Sequence, residues 1–269
     1  MGDLMRAKLA GTRSRLAAFR VVLLLSLVGG CAQEMDVGSD VLWSARFEGD
    51  SFAEWTSVAG GGVDFTATQN TMEVSSERAH EGSYSAKLTV YAPQAGTQGR
   101  DNFGREGNLP NEAYYSAWYY LPRSVAVGTY WVIMKFRMRS VVDDPASEGE
   151  LFDLNLKTLS SGEMSLRMYD WQNGGGDLPL DVVDPVVSVG AWFQIEVFYR
   201  VASDNTGRFT LWLDGQQILD MRGPTGPTPW TAWDVGSIAA VLNPDTATIF
   251  VDDCAVSLSR VGPSGLIAP

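Results

Sequence analysis

Side chains of types that do chemistry fall at alternate positions of four short apolar segments. Lys135 and Arg137 interrupt Trp131–Met138 in step with Ile133 and out of step with Met134 and Phe136. Asp153, Asn155 and Lys157 alternate with Phe152, Leu154 and Leu156, and Arg167, Tyr169 and Trp171 alternate with Leu166 and Met168. Trp212, with Thr210, alternates with Phe209, Leu211 and Leu213. In an extended strand successive side chains point to opposite faces, so each segment has an apolar side and a polar or aromatic side. If these segments neighbour one another, Lys135, Arg137, Asp153, Asn155, Arg167, Tyr169, Trp171 and Trp212 share one sheet face. Closely spaced donors and acceptors suit hydroxyl groups, and Trp and Tyr stack on the C–H faces of sugar rings. Outward Trp is the unusual element, because large aromatics usually go inside. The plainer alternative is a solvated face whose ion pairs add little stability.

The remaining chemical inventory is thin. His80 is the one histidine, and Cys31 and Cys254 are the two cysteines, so a catalytic metal held by His and Cys is excluded by count. A Ser-His-Asp hydrolase would need His80 and a nucleophile elbow, and no such motif is present. His80 precedes the turn Glu81-Gly82-Ser83, where a structural role is expected. A glycoside hydrolase needs two carboxylates at a set separation. Glu148 and Glu150 fall in an acidic run that reads as a solvated loop. Cys254 lies in an apolar segment, where a buried, inert thiol is expected.

The elements that must position these residues read as strands. Alternating or apolar runs occur at Tyr84–Tyr91, Ala113–Leu121, Trp131–Met138, Leu151–Lys157, Met164–Trp171, Trp192–Val201, Phe209–Leu213, Gln217–Met221, Ser237–Val241 and Thr246–Leu258. Gly, Asn, Asp and Pro punctuate them. Asp214-Gly215 between two apolar runs predicts a tight hairpin, whose turn needs positive φ. Helical periodicity is nearly absent. The pattern predicts an all-β domain, either a two-sheet sandwich or a barrel.

The first thirty residues do not belong to that pattern. Arg6, Lys8, Arg13, Arg15 and Arg20 precede the apolar run Val21–Val28, then Gly29, Gly30 and Cys31. That order is a secretory signal, and the run is too short to span a bilayer. Leu27–Cys31 resembles the bacterial lipobox, which implies lipidation at Cys31 and a domain held at the cell envelope, with the outer membrane expected because Ala follows the cysteine. The expected plan is a signal at 1–30, a tether at 31–40, a sandwich at 41–260 and a frayed tail at 261–269. Net charge is −12. The signal carries five basic residues and one acid, so the remainder carries −16. Such a balance argues against nucleic acid and anionic membrane surfaces as partners. Eight Lys and Arg cluster in residues 100–167 among nine acids, so a polyanion approaches this section most easily.

Six phrases occur in order: RFEGDSFAEWTSV from Arg46, ERAHEGSYSAKLTVY from Glu77, AYYSAWYYLP from Ala113, YWVIMKFR from Tyr130, RFTLWLDGQQI from Arg208 and TIFVDDCAVS from Thr248. Together they resemble the concanavalin A-like jelly-roll proteins, in particular bacterial polysaccharide lyases of the heparin lyase I and glucuronan lyase kind. The resemblance implies a jelly-roll sandwich and a polysaccharide partner. Lyases of this kind often carry Gln and His on the strand where this chain has Lys135 and Arg137. If this chain is a lyase, Lys135, made less basic by Arg137, and Tyr169 would move protons, and Arg137, Arg167 or Arg105 would clamp a uronate carboxylate. Arg105 stands in GREG, similar to an Arg-Glu element of the lyases. No cofactor is required, but the resemblance implies a structural calcium where the first and last strands meet. Glu48 and Asp252 or Asp253 match those places, and a metal-free acid pair is the alternative. Three functions stay open: capture of a polysaccharide, its cleavage by β-elimination, and adhesion to a protein partner.

Overall fold

The computed structural model describes residues 40–56, 61–65, 69–107, 109–141, 144–227 and 231–264. The expected signal at 1–30, Cys31 and nearly all of the expected tether lie outside the described residues. Fifteen strands follow in order: β1 (Val41–Ala45), β2 (Gly61–Phe65), β3 (Thr71–Ser75), β4 (Ser85–Tyr91), β5 (Gln98–Glu106), β6 (Glu112–Tyr120), β7 (Ala126–Arg139), β8 (Glu148–Thr158), β9 (Met164–Asp170), β10 (Gly176–Leu178), β11 (Trp192–Arg200), β12 (Arg208–Leu213), β13 (Gln216–Arg222), β14 (Thr231–Asn243) and β15 (Thr246–Ser257). A single turn of helix, α1 (Ala53–Thr56), follows β1. Among the described residues, no helix is long and apolar enough to cross a membrane.

The strands form two antiparallel sheets. One runs β13-β12-β11-β6-β15-β4-β3, with β1 also pairing β15. The other runs β10-β9-β8-β7-β14-β5-β2. This is the jelly-roll sandwich that the resemblance implied, and it decides between the sandwich and the barrel that the alternating pattern left open. The inner faces supply the core: Trp131, Phe136, Phe152, Leu154, Leu166 and Met168 from the second sheet meet Tyr115, Tyr119, Phe193, Tyr199, Phe209 and Leu211 from the first. Each such side chain contributes about 1.5–3 kcal/mol by leaving water. The hairpin at Asp214-Gly215 forms as expected, with φ of 48° and 80°.

Two sequence expectations change here. The tail beyond Arg260 is tied down rather than frayed as far as it is described. Glu196, buried on the outer face of β11, accepts hydrogen bonds from Arg260 Nε at 2.9 Å, Val261 N at 2.6 Å and Gly262 N at 3.2 Å. The Gln194 side chain donates to the Gly262 carbonyl at 3.0 Å. The alternation of β7 is also broken. Val132 pairs Asn155 and Met134 pairs Leu154, so Ile133 is an extra residue. Ile133 turns into the core, and Val132 takes the outward position expected for Ile133.

Candidate functional site

The outer face of the second sheet carries a groove. Its floor is set by register. Asp234 on β14 lies opposite Lys135 on β7, Lys135 opposite Asp153 on β8, and Asp153 opposite Tyr169 on β9. A neighbouring row places Arg100 on β5 opposite Ile238, then Val132, Asn155 and Arg167. Strands lie ~4.8 Å apart, so Lys135 and Tyr169, two strands apart, flank Asp153 across ~10 Å. Tyr130 stands at the rim, its hydroxyl accepting from Gln98 Nε2 at 2.8 Å.

Trp171 is half exposed just beyond β9. Its backbone N–H donates to the Leu151 carbonyl at 2.9 Å. Buried Asp170 accepts from the Gln172 and Asn173 backbones and fixes the turn. The indole Nε1 donates to Asp153 Oδ2 at 2.7 Å, and the ring lies 4.7 Å from Tyr169 between centroids. Gly175 leaves room for Tyr169, since a Cβ there would lie 3.1 Å from the phenol oxygen.

The floor is electrostatically dense. Arg137 grips Asp234 with two hydrogen bonds, 2.6 Å from Nε and 2.9 Å from Nη2, and also pairs with Glu148. Burial alone would weaken the Arg137 charge, but Asp234 and Glu148 outweigh it and raise its pKa above the ordinary value. Gly104 leaves space for this pair, because a Cβ there would meet Asp234 Oδ1 at 2.9 Å. Lys135, nearly buried, has Glu150 at 3.4 Å and Asp234 at 3.8 Å. The bare Lys135–Arg137 like-charge pair expected from sequence therefore does not form, because carboxylates stand between and beside the two cations. Burial and the Glu150 charge push the Asp153 carboxyl up to about 6, against the pull of Trp171 and Lys135.

Three oxygens on the floor, Asp153 Oδ1, Asn155 Oδ1 and Asn102 Oδ1, are buried without a hydrogen-bond partner. Their residues are at most 5% exposed and line the groove. An unmet buried polar group costs about 1–3 kcal/mol. Acceptors left open along a groove suit a ligand rich in hydroxyls.

Of the residues singled out in the sequence, Lys135, Arg137, Asp153, Asn155, Arg167, Tyr169 and Trp171 line this groove. Trp212 does not. It lies on β12 in the opposite sheet, 8% exposed, under the Arg260 guanidinium at 4.4 Å. The alternation of its strand was legible, but its sheet was not. Arg105 also lies elsewhere. β5 sends Arg100, Asn102, Gly104 and Glu106 to the groove, while Arg105 points to the other side and packs on the Trp43 ring at 4.6 Å. Glu148 and Glu150 open β8 and line the groove, so the acidic run is not a solvated loop. Arg100, Asn102, Tyr130 and Asp234 were not singled out. β5, QGRDNFGRE, has one large apolar residue and gives no alternation, and Gly236 breaks the pattern of β14.

The expected calcium ligands are engaged otherwise. Glu48 Oε1 accepts from the backbones of Ser83 and Tyr84 at 2.9 and 3.0 Å. Asp252 accepts from His80 N at 2.8 Å, and Asp253 pairs with Arg46 at 3.3 Å and with His80 Nδ1 at 2.7 Å. Burial and Asp253 raise the Asp252 carboxyl to about 8. Calcium takes six to eight oxygens. Among the described residues no group of three or more His, Cys, Asp or Glu is arranged to hold a metal. Asp253 has φ of 42° and β15 shifts register against β6 between Asp252 and Ala255, which is why alternation could not separate the two aspartates. His80 also stacks on Trp118 at 3.7 Å, in the sheet opposite the groove.

Similar folds occur in several solved structures. An endo-β-1,4-glucuronan lyase of the fungus Trichoderma reesei is 17% identical with a TM-score of 0.63, over 84% of this chain and 100% of that one. An alginate lyase from Chlorella virus is 11% identical with a TM-score of 0.56, over 82% and 100%. A marine alginate lyase from Aplysia kurodai is 10% identical with a TM-score of 0.54, over 81% and 99%. At these identities the likeness is one of fold. No curated protein sequence matches the chain. Residues 47–254 match the polysaccharide lyase family model, and the chain belongs to that family.

Proposed function

We propose that the groove binds a uronate-containing polysaccharide and cleaves it by β-elimination. The observation that carries this reading is the in-register row Lys135–Asp153–Tyr169, with Arg167 one row along and Trp171 at the end. Elimination needs the carboxylate neutralised, the proton α to it removed, and the leaving oxygen protonated. Arg167 is the clamp the geometry favours, because its one ion pair among the described residues is with exposed Asp177 at 3.4 Å, whereas Arg137 is held by buried Asp234 and by Glu148 and Arg105 faces away. Tyr169, its hydroxyl proton first given up to solvent, takes the C5 proton as the phenolate and becomes the phenol. The C5–H electrons form the C4=C5 double bond as the C4–O bond breaks, and the Lys135 ammonium gives its proton to the departing glycosidic oxygen. Trp171 stacks on an adjoining sugar. The lyases of similar fold support this reading by analogy.

The test is incubation of the purified domain with a panel of uronate polymers, reading absorbance from unsaturated ends. The expected result is product formation that disappears in Tyr169→Phe and Lys135→Ala. Absence of unsaturated product from every polymer would reject cleavage. One observation favours capture without cleavage: the Lys135 charge is engaged by Glu150 and Asp234. Capture predicts polymer binding, without product, that is weakened in Trp171→Ala. The lipobox-like segment ending at Cys31 supports attachment of this domain to the bacterial envelope, with the outer membrane expected. Cys31→Ser is expected to move the protein from the membrane to the soluble fraction, and unchanged sedimentation would refute the anchor.

A further inference from the structure

The groove does not end at Arg167. The row Arg100, Ile238, Val132, Asn155 and Arg167 runs across the sheet and leaves it over the β9 edge. There β10 pairs with β9 only as far as Leu178, opposite Met168. The chain then bulges away over residues 179–184 and returns to β9. The Leu166 N–H donates to the Pro185 carbonyl at 3.0 Å, and the Val187 N–H donates to the Met164 carbonyl at 2.9 Å. Between the bulge and the sheet lies a cleft of about 260 Å³, and Arg167 lines both it and the groove.

The cleft differs from the groove in chemistry. Its walls are Leu178, Pro179, Leu180, Val182 and Val183. Leu178, Leu180 and Val182 are partly buried against the core, and the Asp181 N–H donates to the Ile218 carbonyl on β13 at 2.8 Å. The wall is therefore held in place before any ligand arrives. Val183 is nevertheless 87% exposed. A single exposed aliphatic side chain means little, but an aliphatic cluster at the end of a ligand groove marks a contact surface. The charged side chains lining the cleft, Lys157, Arg167, Asp177 and Asp184, are two of each sign. They are also paired, Lys157 with Asp184 and Arg167 with Asp177. A uronate that draws Arg167 to itself leaves the Asp177 charge beside the cleft, which disfavours a second carboxylate there. Aliphatic walls leave a hydroxyl without a partner, but they gain from taking a methyl group out of water.

We infer that the cleft is a subsite for a methyl-bearing sugar next to the uronate seated at Arg167, the methyl belonging to an acetyl ester or to a 6-deoxyhexose. This rests on the reading of the groove as a uronate-polymer site and specifies its substrate further. Two matched pairs of probes separate the sources of the methyl. One is a polyglucuronate with and without O-acetyl groups. The other is glucuronate alternating with a 6-deoxyhexose or with the corresponding hexose. Binding is measured with the Tyr169→Phe protein and cleavage with the unaltered one. Removing one methyl from water predicts about fourfold tighter binding of the methyl-bearing member in at least one pair.

Saturation-transfer NMR is expected to mark the methyl protons of that probe more strongly than its ring protons, and this readout needs no change to the cleft. In Val183→Asp, which puts a carboxylate on the cleft wall, the ratio within that pair is expected to fall to near one. A preference in the first pair alone assigns the acetyl ester, and in the second pair alone the deoxy sugar. Equal binding within both pairs, or methyl protons marked no more than ring protons, overturns the proposal. If unsaturated product forms all the same, the lyase reading stands without it. A methyl preference in binding without unsaturated product keeps the proposal and removes cleavage. No binding of any probe removes both.

Discussion

Replacing Asp153 by Asn is expected to stabilise the protein, by an amount set by pH. Asp153 is 5% exposed, and burial together with Glu150 raises its carboxyl from 3.8 to about 6. A carboxyl raised on folding binds its proton more tightly in the native state, so the native state loses stability as pH rises from the unfolded value toward the folded one. The full penalty is present above the folded value. A shift of about two units at 1.36 kcal/mol each makes it about 3 kcal/mol near pH 8, most of it already present at pH 6, and about 0.5 kcal/mol at pH 4. Asn preserves the shape, and its amide oxygen can still accept from Trp171 Nε1. Lys135 keeps Glu150 and Asp234. Urea denaturation of both proteins at pH 4, 6 and 8 measures the difference directly. A variant less stable than the parent at pH 8, or a difference that does not grow between pH 4 and pH 6, would refute the claim that the Asp153 charge is a cost rather than a support.

Tyr169→Phe is expected to lower the rate of unsaturated product formation about 10²–10⁴-fold, with polymer binding changed only severalfold, as read by steady-state kinetics and affinity electrophoresis. Lys135→Ala should lower the rate about 100-fold or more by removing a positioned donor, with the fold checked by near-ultraviolet circular dichroism. Trp171→Ala is expected to weaken polymer binding about threefold to tenfold by calorimetry, through loss of its exposed ring. Glu196→Ala leaves Arg260 and two backbone amides without their acceptor, so a loss of about 2–3 kcal/mol and faster hydrogen exchange at Val261 and Gly262 are expected.

The sandwich and most of the site were legible because period-two alternation reports a strand and its two faces. It placed Arg167 and Tyr169 on one side and Leu166 and Met168 on the other, as the structure has them. Alternation says nothing about which sheet a strand joins, and so Trp212 was grouped with residues of the other sheet. It also fails where a strand gains a residue. Ile133 shifted the phase of β7, yet Lys135 and Arg137 still faced the groove because the extra residue lies before them. β5 was invisible for a different reason. Its groove face is Arg, Asn, Gly and Glu, and its inner face includes Gly99 and Asp101, so hydrophobic contrast is nearly lost. Arg105 was assigned by motif rather than by face, and the face was the part that mattered.

The two rows of the groove floor are unevenly spaced along the strands. They stand two residues apart on β8, from Asp153 to Asn155, and on β9, from Tyr169 to Arg167. They are three apart on β7, from Lys135 to Val132, and four apart on β14 and β5, from Asp234 to Ile238 and from Gly104 to Arg100. The extra residues on β7 and β14 are bulges, which bend a strand and raise its twist rather than lengthen the floor, whereas β8 and β9 cross it regularly. The two ends of the floor are therefore built from unlike main chain, and a polymer turned end for end along it would meet a different surface.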